Sequence, residues 1–543
     1  MSAQSFSHLF HNRSALTGRI RNIWQRSGRA GLPKKDMRML LGIDYGTTRT
    51  VVATVDRGNY PLVSFQTASG DPCDWYPSTI AAHDSELAFG FEAAARQGDP
   101  AWTLWRSFKR ELSTPGPDER VSIGACEIGA LELLTKLLAQ LRSDLLGRSN
   151  LRARARQKLE AMISVPANAN SNQRFITIEA FRRAGFEVRG LLNEPSAAGI
   201  EYAHYAQGGN LSSRRENLIV YDLGGGTFDT SVISIAAREH EVISSEGIAR
   251  LGGDDFDRLL LALALETAGI ADAPESARTL LLEECREKKE GLSPNTRRLA
   301  IELERGLPGA GEVIVSTADF YEQCRPLVER TIESVEHLMK QAGIGLSEAA
   351  AIYLVGGSSD LPIVARTLRE RYGRLVRRSP YPHAAVAIGL AIAADSEAGY
   401  KLRERFTRNF GVWRETDDGR RISFDVLFGK DTALPARGEP PLIRTRRYHP
   451  AHNIGHFRYL ECGNLDAANE PRGELTPWNE ILFPFDPALR ESDELEEQSV
   501  RRSFHSHHQI EEVYSCDANG IIEVAIQDLT NCFGRHFRLR GPR

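Results

Sequence analysis

Asp44 and Asp222 each close an apolar run, and each is followed by glycine and threonine. The first run reads MLLGIDYGTTRT, with Gly46, Thr47 and Thr48 behind the acid. The second reads NLIVYDLGGGTFDTS, with Gly224, Gly225, Gly226 and Thr227 behind it. Runs of Leu, Ile and Val without polar alternation describe strands covered on both faces. Glycines after such a strand let the backbone turn tightly and approach a ligand closely. Turns of this kind present N–H and hydroxyl groups in a concavity that holds phosphate oxygens. The acids stand where a hydrated Mg²⁺ needs negative ligands, because this ion keeps several waters and takes few carboxylates directly. A third run, AAIYLVGGSSDLP, repeats the strand and the glycines without the acid. Two similar acid-bearing turns predict a duplicated fold closing on one nucleotide between its halves. The competing reading is a pair of ordinary glycine turns at strand ends. The chain has no GxxxxGK[ST], which disfavours a P-loop enzyme. Its glycines do not fit GxGxxG with an acidic ribose partner, which disfavours a dinucleotide fold.

The elements that must position these turns follow from periodicity. From Met39 to about Ala394, strand-like runs alternate with amphipathic helical stretches such as LELLTKLLAQLRSDLL and LVERTIESVEHLMKQAG. That alternation predicts an α/β architecture over residues 39–395. Residues 396–410 are charged and read as a linker. Beyond them helical periodicity fades, Pro and Gly become frequent, and a β-rich domain is expected over residues 411–543. Its clearest element is IEEVYSCDANGIIEVAIQD, two strand-like runs flanking Asn519 and Gly520, a strong hairpin signal.

The chain has 543 residues, 41% of them hydrophobic, and a net charge of -4. That is ample for more than one core and gives no bulk basic field for nucleic acid. No apolar run reaches membrane-spanning length. The seven cysteines are scattered without CxxC spacing, so reduced thiols in a cytoplasmic setting are expected. Residues 1–38 are rich in Ser and Arg. An organellar transit peptide, a disordered basic arm and a true start at Met37 or Met39 all fit that composition.

Taken together, the paired turns resemble the actin, sugar-kinase and heat-shock ATPase superfamily. Within it the chain is most similar to the seventy-kilodalton heat-shock chaperones, the DnaK family. The stretch MISVPANANSNQRFITIEAFRRAGFEVRGLLNEPSAAGIEYA looks like that family's connecting segment, and LGGDDFDRLL and YLVGGSSDLPIV match its further signatures. CDANGIIEVAI resembles the end of its β-sandwich substrate domain. The resemblance implies an actin-like ATPase of two lobes followed by a β-sandwich-like substrate domain. It implies a slow ATP hydrolase using ATP and Mg²⁺, acting on unfolded polypeptides with a J-domain co-chaperone and a nucleotide-exchange factor. Asp44 and Asp222 would order the magnesium–water shell. Gly46, Thr47, Thr48 and Arg49, with Gly224 to Thr227, would hold phosphates. Lys109 and Glu194 would position the attacking water, and Thr227 would contact the γ-phosphate. Arg286, Lys289, Glu290, Ser293, Gly356, Gly357, Ser358 and Asp360 fall where the family contacts ribose and adenine. Pro166 and Arg174 fall in its proposed relay between domains.

Three departures stand out. The family clamps adenine between two arginines, and acids, Glu290 and Asp360, replace both here. A cation–π stack is worth roughly 0.5–2 kcal/mol, so ATP binding weaker than the family's by one to two orders of magnitude is expected. The linker YKLRERFTRNF is charged where the family has leucines and an aspartate. No long amphipathic stretch follows Asp528 to serve as the family's helical lid. A histidine group (His449, His452, His456, His505, His507 and His508) admits metal binding, but a polar surface is the favoured reading. The rival function is a nucleotide-gated interaction protein with one dedicated partner. A small-molecule kinase of the same superfamily is disfavoured by NEPSAAG and DANG.

Overall fold

The computed structural model describes residues 38–539 except 100, 114–118, 152–156, 207–216, 237, 272, 493 and 503–506. The expectations for residues 1–37 and for His505 lie outside that set. The first lobe is built on β1 (Met39–Tyr45), β2 (Arg49–Thr54), β3 (Tyr76–Pro77), α1 (Ala130–Gly147), β4 (Leu159–Val165), α2 (Ser171–Arg183), β5 (Glu187–Asn193) and α3 (Glu194–Ala206). Its sheet runs β5-β4-β1-β2-β3. β1 pairs parallel with β4 and antiparallel with β2.

The second lobe contains β6 (Asn217–Leu223), β7 (Phe228–Ala236), β8 (Glu239–Ile248), α4 (Gly253–Thr267), α5 (Glu275–Glu290), α6 (Thr317–Ala342), β9 (Ala349–Val355), α7 (Pro362–Tyr372), β10 (Val376–Arg378) and α8 (Ala385–Ala394). Its central strand β6 is again parallel to one neighbour, β9, and antiparallel to the other, β7. The plan of the first lobe is thus repeated, and Asp44 and Asp222 hold equivalent places on the two central strands. Each lobe has its own apolar core. Between them α8 is buried on nearly every side and packs on α3. A Cβ on Gly389 would stand 1.8 Å from the Ala197 carbonyl oxygen, so only glycine permits that close helix crossing.

The charged linker is not featureless. β11 (Lys401–Arg403) adds to the edge of the second lobe's sheet, parallel to β8. Tyr400 and Leu402 alternate inward while Lys401 and Arg403 face solvent, which is the period of a half-buried strand. Tyr400 stacks on His240, ring centroids 5.5 Å apart, and meets His204 edge-on.

The strands after the linker are β12 (Asn409–Thr416), β13 (Arg421–Phe428), β14 (Leu442–Tyr448), β15 (Ile454–Phe457), β16 (Tyr459–Leu465), β17 (Pro471–Pro477), β18 (Ile481–Pro484), β19 (Ile510–Cys516), β20 (Ile522–Asp528) and β21 (Phe533–Arg538). They form sheets β13-β12-β16-β17 and β14-β19-β20-β21, with a two-stranded pair β15-β18. An aromatic core rich in Phe and Tyr lies within this region. Charges also join the two sheets: Arg414 on β12 binds Glu512 on β19 at 2.6 Å and Asp425 on β13 at 2.7 Å, and Arg446 on β14 binds Asp425. The expected hairpin is present, but its connection is longer than two residues. Asp517 Oδ1 accepts from the backbone of both Asn519 and Ile521, and its Oδ2 accepts from Asn519 Nδ2 at 3.1 Å, which rounds the turn and holds the Asn519 side chain where its Oδ1 meets the first lobe.

Candidate functional site

The two acid-bearing turns meet at one cavity of about 1030 Å³. Its floor comes from the ends of β1 and β6. Asp44 accepts from the Ser164 hydroxyl at 3.0 Å, and Asp222 pairs across the ladder with Asp229. From the first lobe the 3-10 turn Phe108–Ser113 carries Lys109 into the cavity. There its ammonium donates to Glu194 at 2.5 Å, and both side chains are buried. Glu194 is the first residue of α3, where the positive helix end suits a carboxylate.

This floor holds more buried negative charge than its single ammonium can offset. Burial raises the pKa of Asp222 well above the usual carboxylate range, and Glu194, Asp229 and Asp44 push it the same way. Burial likewise raises Asp44, against the pull of Lys109. It lifts Asp229 to about 6 and Glu194 to about 8. Burial works against the charged Lys109, but Glu194 and Asp44 overcome it and hold its pKa up. A site of clustered, desolvated carboxylates is one that a cation would relieve. The donor set therefore fits a hydrated Mg²⁺ held by Asp44 and Asp222.

The glycine turns are shaped by what packs on them. Gly46 N–H donates to the Asp44 and Arg49 carbonyls, each at 3.1 Å. In the second turn the Gly224 and Gly225 carbonyls accept from Gly253 and Asp254 at the start of α4. Gly356 has φ 83°, and a Cβ there would sit 2.4 Å from Asp222 Oδ1. The third run's glycine thus lets the backbone pass directly against the second acid.

Asp44, Gly46, Thr47, Thr48, Arg49, Lys109, Glu194, Asp222, Gly224, Gly225 and Thr227 all line the cavity. So do Arg286, Lys289, Glu290, Ser293, Gly356, Gly357, Ser358 and Asp360. Gly226 is not among the lining residues; its open side faces Thr47 and Arg110. Lys289 donates to the Gly253 carbonyl at 2.9 Å and pairs with Asp257 at 2.7 Å, so it braces the start of α4. Arg286 is taken up by Asp254, Asp257 and Glu283. Sequence reasoning did not single out Asp229, Asp254, Asp257, Arg378 or His383. Asp254 and Asp257 lie in the quoted LGGDDFDRLL and were within reach. Arg378 and His383 lie in a stretch without a motif and reach the cavity only through the fold.

Behind this cavity the sandwich meets the first lobe. Ser171 N–H donates to Glu461 at 3.1 Å, Leu191 N–H to the Asn519 side chain at 3.1 Å, and Arg174 to the Asn519 carbonyl at 3.4 Å. The linker's Glu404 accepts from Asn193 N–H at 2.9 Å, Asn193 Nδ2 at 2.8 Å and the Ser196 hydroxyl at 3.1 Å. It thereby caps the same end of α3 that begins with Glu194. Among the described residues no helix is long and apolar enough to cross a membrane. A family model described as Hsp70 protein matches residues 40–406, more than half of the chain.

Proposed function

The chain belongs to the Hsp70 family, and on that premise we propose that it is an ATP-dependent chaperone in which nucleotide in the cleft sets the affinity of the β-sandwich for apolar segments of unfolded proteins. The family supports ATP hydrolysis, Mg²⁺ use and unfolded-polypeptide binding in general; the residue roles and the coupling are our reading. The observation that carries it is the N-terminal end of α3. Glu194 holds Lys109 inside the cavity, and one turn of chain around it, Asn193 to Ser196, is held by Glu404 of the linker. A shift of that helix end on nucleotide binding is felt directly at the linker.

In the cleft, the N–H and hydroxyl groups of Gly46 to Thr48, Gly224, Gly225 and Thr227 hold the phosphates. Asp44 and Asp222 would hold a hydrated magnesium ion. When bound, that ion offsets phosphate charge. Lys109 and Glu194 orient the water whose oxygen bonds to the γ-phosphorus as the bridging β–γ oxygen leaves. The Thr227 hydroxyl steadies the γ-phosphate. Catalysis of this kind is mostly positioning and charge stabilisation. Single-turnover hydrolysis of ATP tests it. The full chain should turn over slowly, and Lys109→Ala should lower the rate by about 10² or more while still binding ADP. Equal rates for the two proteins would sink this mechanism.

A second reading, a nucleotide-gated protein with one dedicated partner, is favoured by the seam of Arg414, Glu512, Asp425 and Arg446 between the sheets. An ion-paired seam is a poorer seat for varied apolar peptides than an aliphatic one. A peptide array separates the two: many apolar hits for a chaperone, one or none for a dedicated partner.

A further inference from the structure

The glycine turns account for the phosphate-binding part of the cavity. Beside them two guanidiniums are held by carboxylates: Arg49, which closes the first glycine turn, pairs with Glu290, and Arg378 pairs with Asp360 of the third run. All four residues line the cavity. Arg49 comes from β2 in the first lobe and Glu290 from the last turn of α5 in the second, so their pair spans the cleft. The guanidinium of Arg49 lies over the Trp75 ring, 4.4 Å from its centroid. Arg49 lines the cavity and Trp75 does not, so the ring backs the guanidinium from behind. Arg378 comes from β10, and Asp360 from the 3-10 turn Gly357–Asp360 that follows β9.

A guanidinium tethered through one NH2 to a carboxylate keeps a flat face available, and for Arg49 the Trp75 ring against its other face sets the plane. Flat heteroaromatic rings stack on such faces. The cavity therefore offers phosphate-binding turns and, on side chains that reach out from beside them, two guanidiniums held by carboxylates, which matches the two parts of a nucleotide.

We propose that Arg49 and Arg378 are the base-holding residues of this cavity, each oriented by its acid, Glu290 or Asp360. This rests on the nucleotide reading above and adds its base-recognising residues. The two acids then act as positioning residues: they hold arginines contributed by β2 and β10. Because Arg49 is fixed by an acid of the opposite lobe, its face is set only when the lobes are closed. Holding the base and closing the cleft become one event.

Calorimetric titration with Mg·ADP and with Mg·tripolyphosphate, which has phosphates and no base, tests the proposal. The proteins are the full chain, Arg49→Ala, Arg378→Ala, Glu290→Gln and the charge-preserving Arg49→Lys. The expected result is a Kd for ADP raised about five- to thirtyfold by either alanine variant, with the Kd for tripolyphosphate moved by under about twofold. Arg49→Lys should behave like Arg49→Ala, because charge without a plane does not stack. Glu290→Gln should shift ADP in the same direction by less. Several results would overturn the proposal: ADP and tripolyphosphate weakened alike, ADP unaffected, or ADP tightened by Arg49→Ala, which would make the pair a cover over the cavity. A parent chain that binds ADP no better than tripolyphosphate would remove base recognition and leave the phosphate site standing. A parent chain that binds neither would remove both.

Discussion

Asp222 shows how one residue trades stability for binding. It is buried among Glu194, Asp229 and Asp44, and burial raises its pKa well above the usual range. Replacing it by Asn removes a crowded acid at little change in volume. Asp222→Asn should therefore stabilise the nucleotide-free protein by about 1–2 kcal/mol. The same variant should lose most of the rise in Tm that Mg·ADP gives the parent chain. Thermal melts with and without Mg·ADP check both halves. A variant that melts below the parent without nucleotide would contradict the picture of an overcharged floor. Asp222 itself was legible in the sequence, because the chemistry of a strand end and a glycine turn is written in consecutive residues. Arg378 was not. Its role depends on Asp360, and only the packing of β10 beside β9 brings the two together.

At the scale of elements, α3 links three places. Its first residue faces the cavity, its first turn is capped by Glu404, and Glu201 lies in its interior accepting from Tyr353 at 2.6 Å and Ser379 at 3.1 Å. Glu404→Ala should leave the α3 end without its cap and loosen the linker. Losing those hydrogen bonds costs about 1–3 kcal/mol, so trypsin should cut at Arg403 and Arg405 roughly tenfold faster. An unchanged cleavage rate would mean that the strand pairing of β11 alone holds the linker. Glu201 gives a pH signature. Burial raises its pKa from the ordinary glutamate range to about 7. Its contribution to stability is thus fully present below about pH 4.5 and is lost as pH rises through about 7. Glu201→Gln should be free of this loss, so its Tm should gain on the parent's between pH 5 and 8; parallel Tm profiles would count against it. The segment of α3 entered the sequence reading only through its resemblance to the family's connecting segment, and its helical pattern was not singled out. The strand character of YKLRERF was obscured by its charges, although Tyr400 and Leu402 alternate with Lys401 and Arg403 as a strand edge does.

For the whole molecule, the α/β part was legible because its repeated strand–turn pattern is local and strongly patterned. The β-rich part was legible only as a class. Its register depends on pairings between distant strands, and its buried charges have no signature in the sequence. Glu512 is fully buried and held by Arg414 and the Tyr514 hydroxyl. Glu512→Ala would leave Arg414 without its principal partner between the sheets and should destabilise the sandwich by about 3–5 kcal/mol. Denaturant unfolding should show this as a loss confined to one transition if the sandwich unfolds separately from the lobes.

The central claim is that nucleotide in the cleft governs what the sandwich binds, through the end of α3 and the linker. The most direct measurement is the fluorescence anisotropy of labelled apolar peptides mixed with the full chain, with and without Mg·ATP. Peptides should bind, and Mg·ATP should speed their release. Binding that is identical with and without Mg·ATP, or no binding across varied apolar peptides, would contradict that claim and direct the search to a single protein partner.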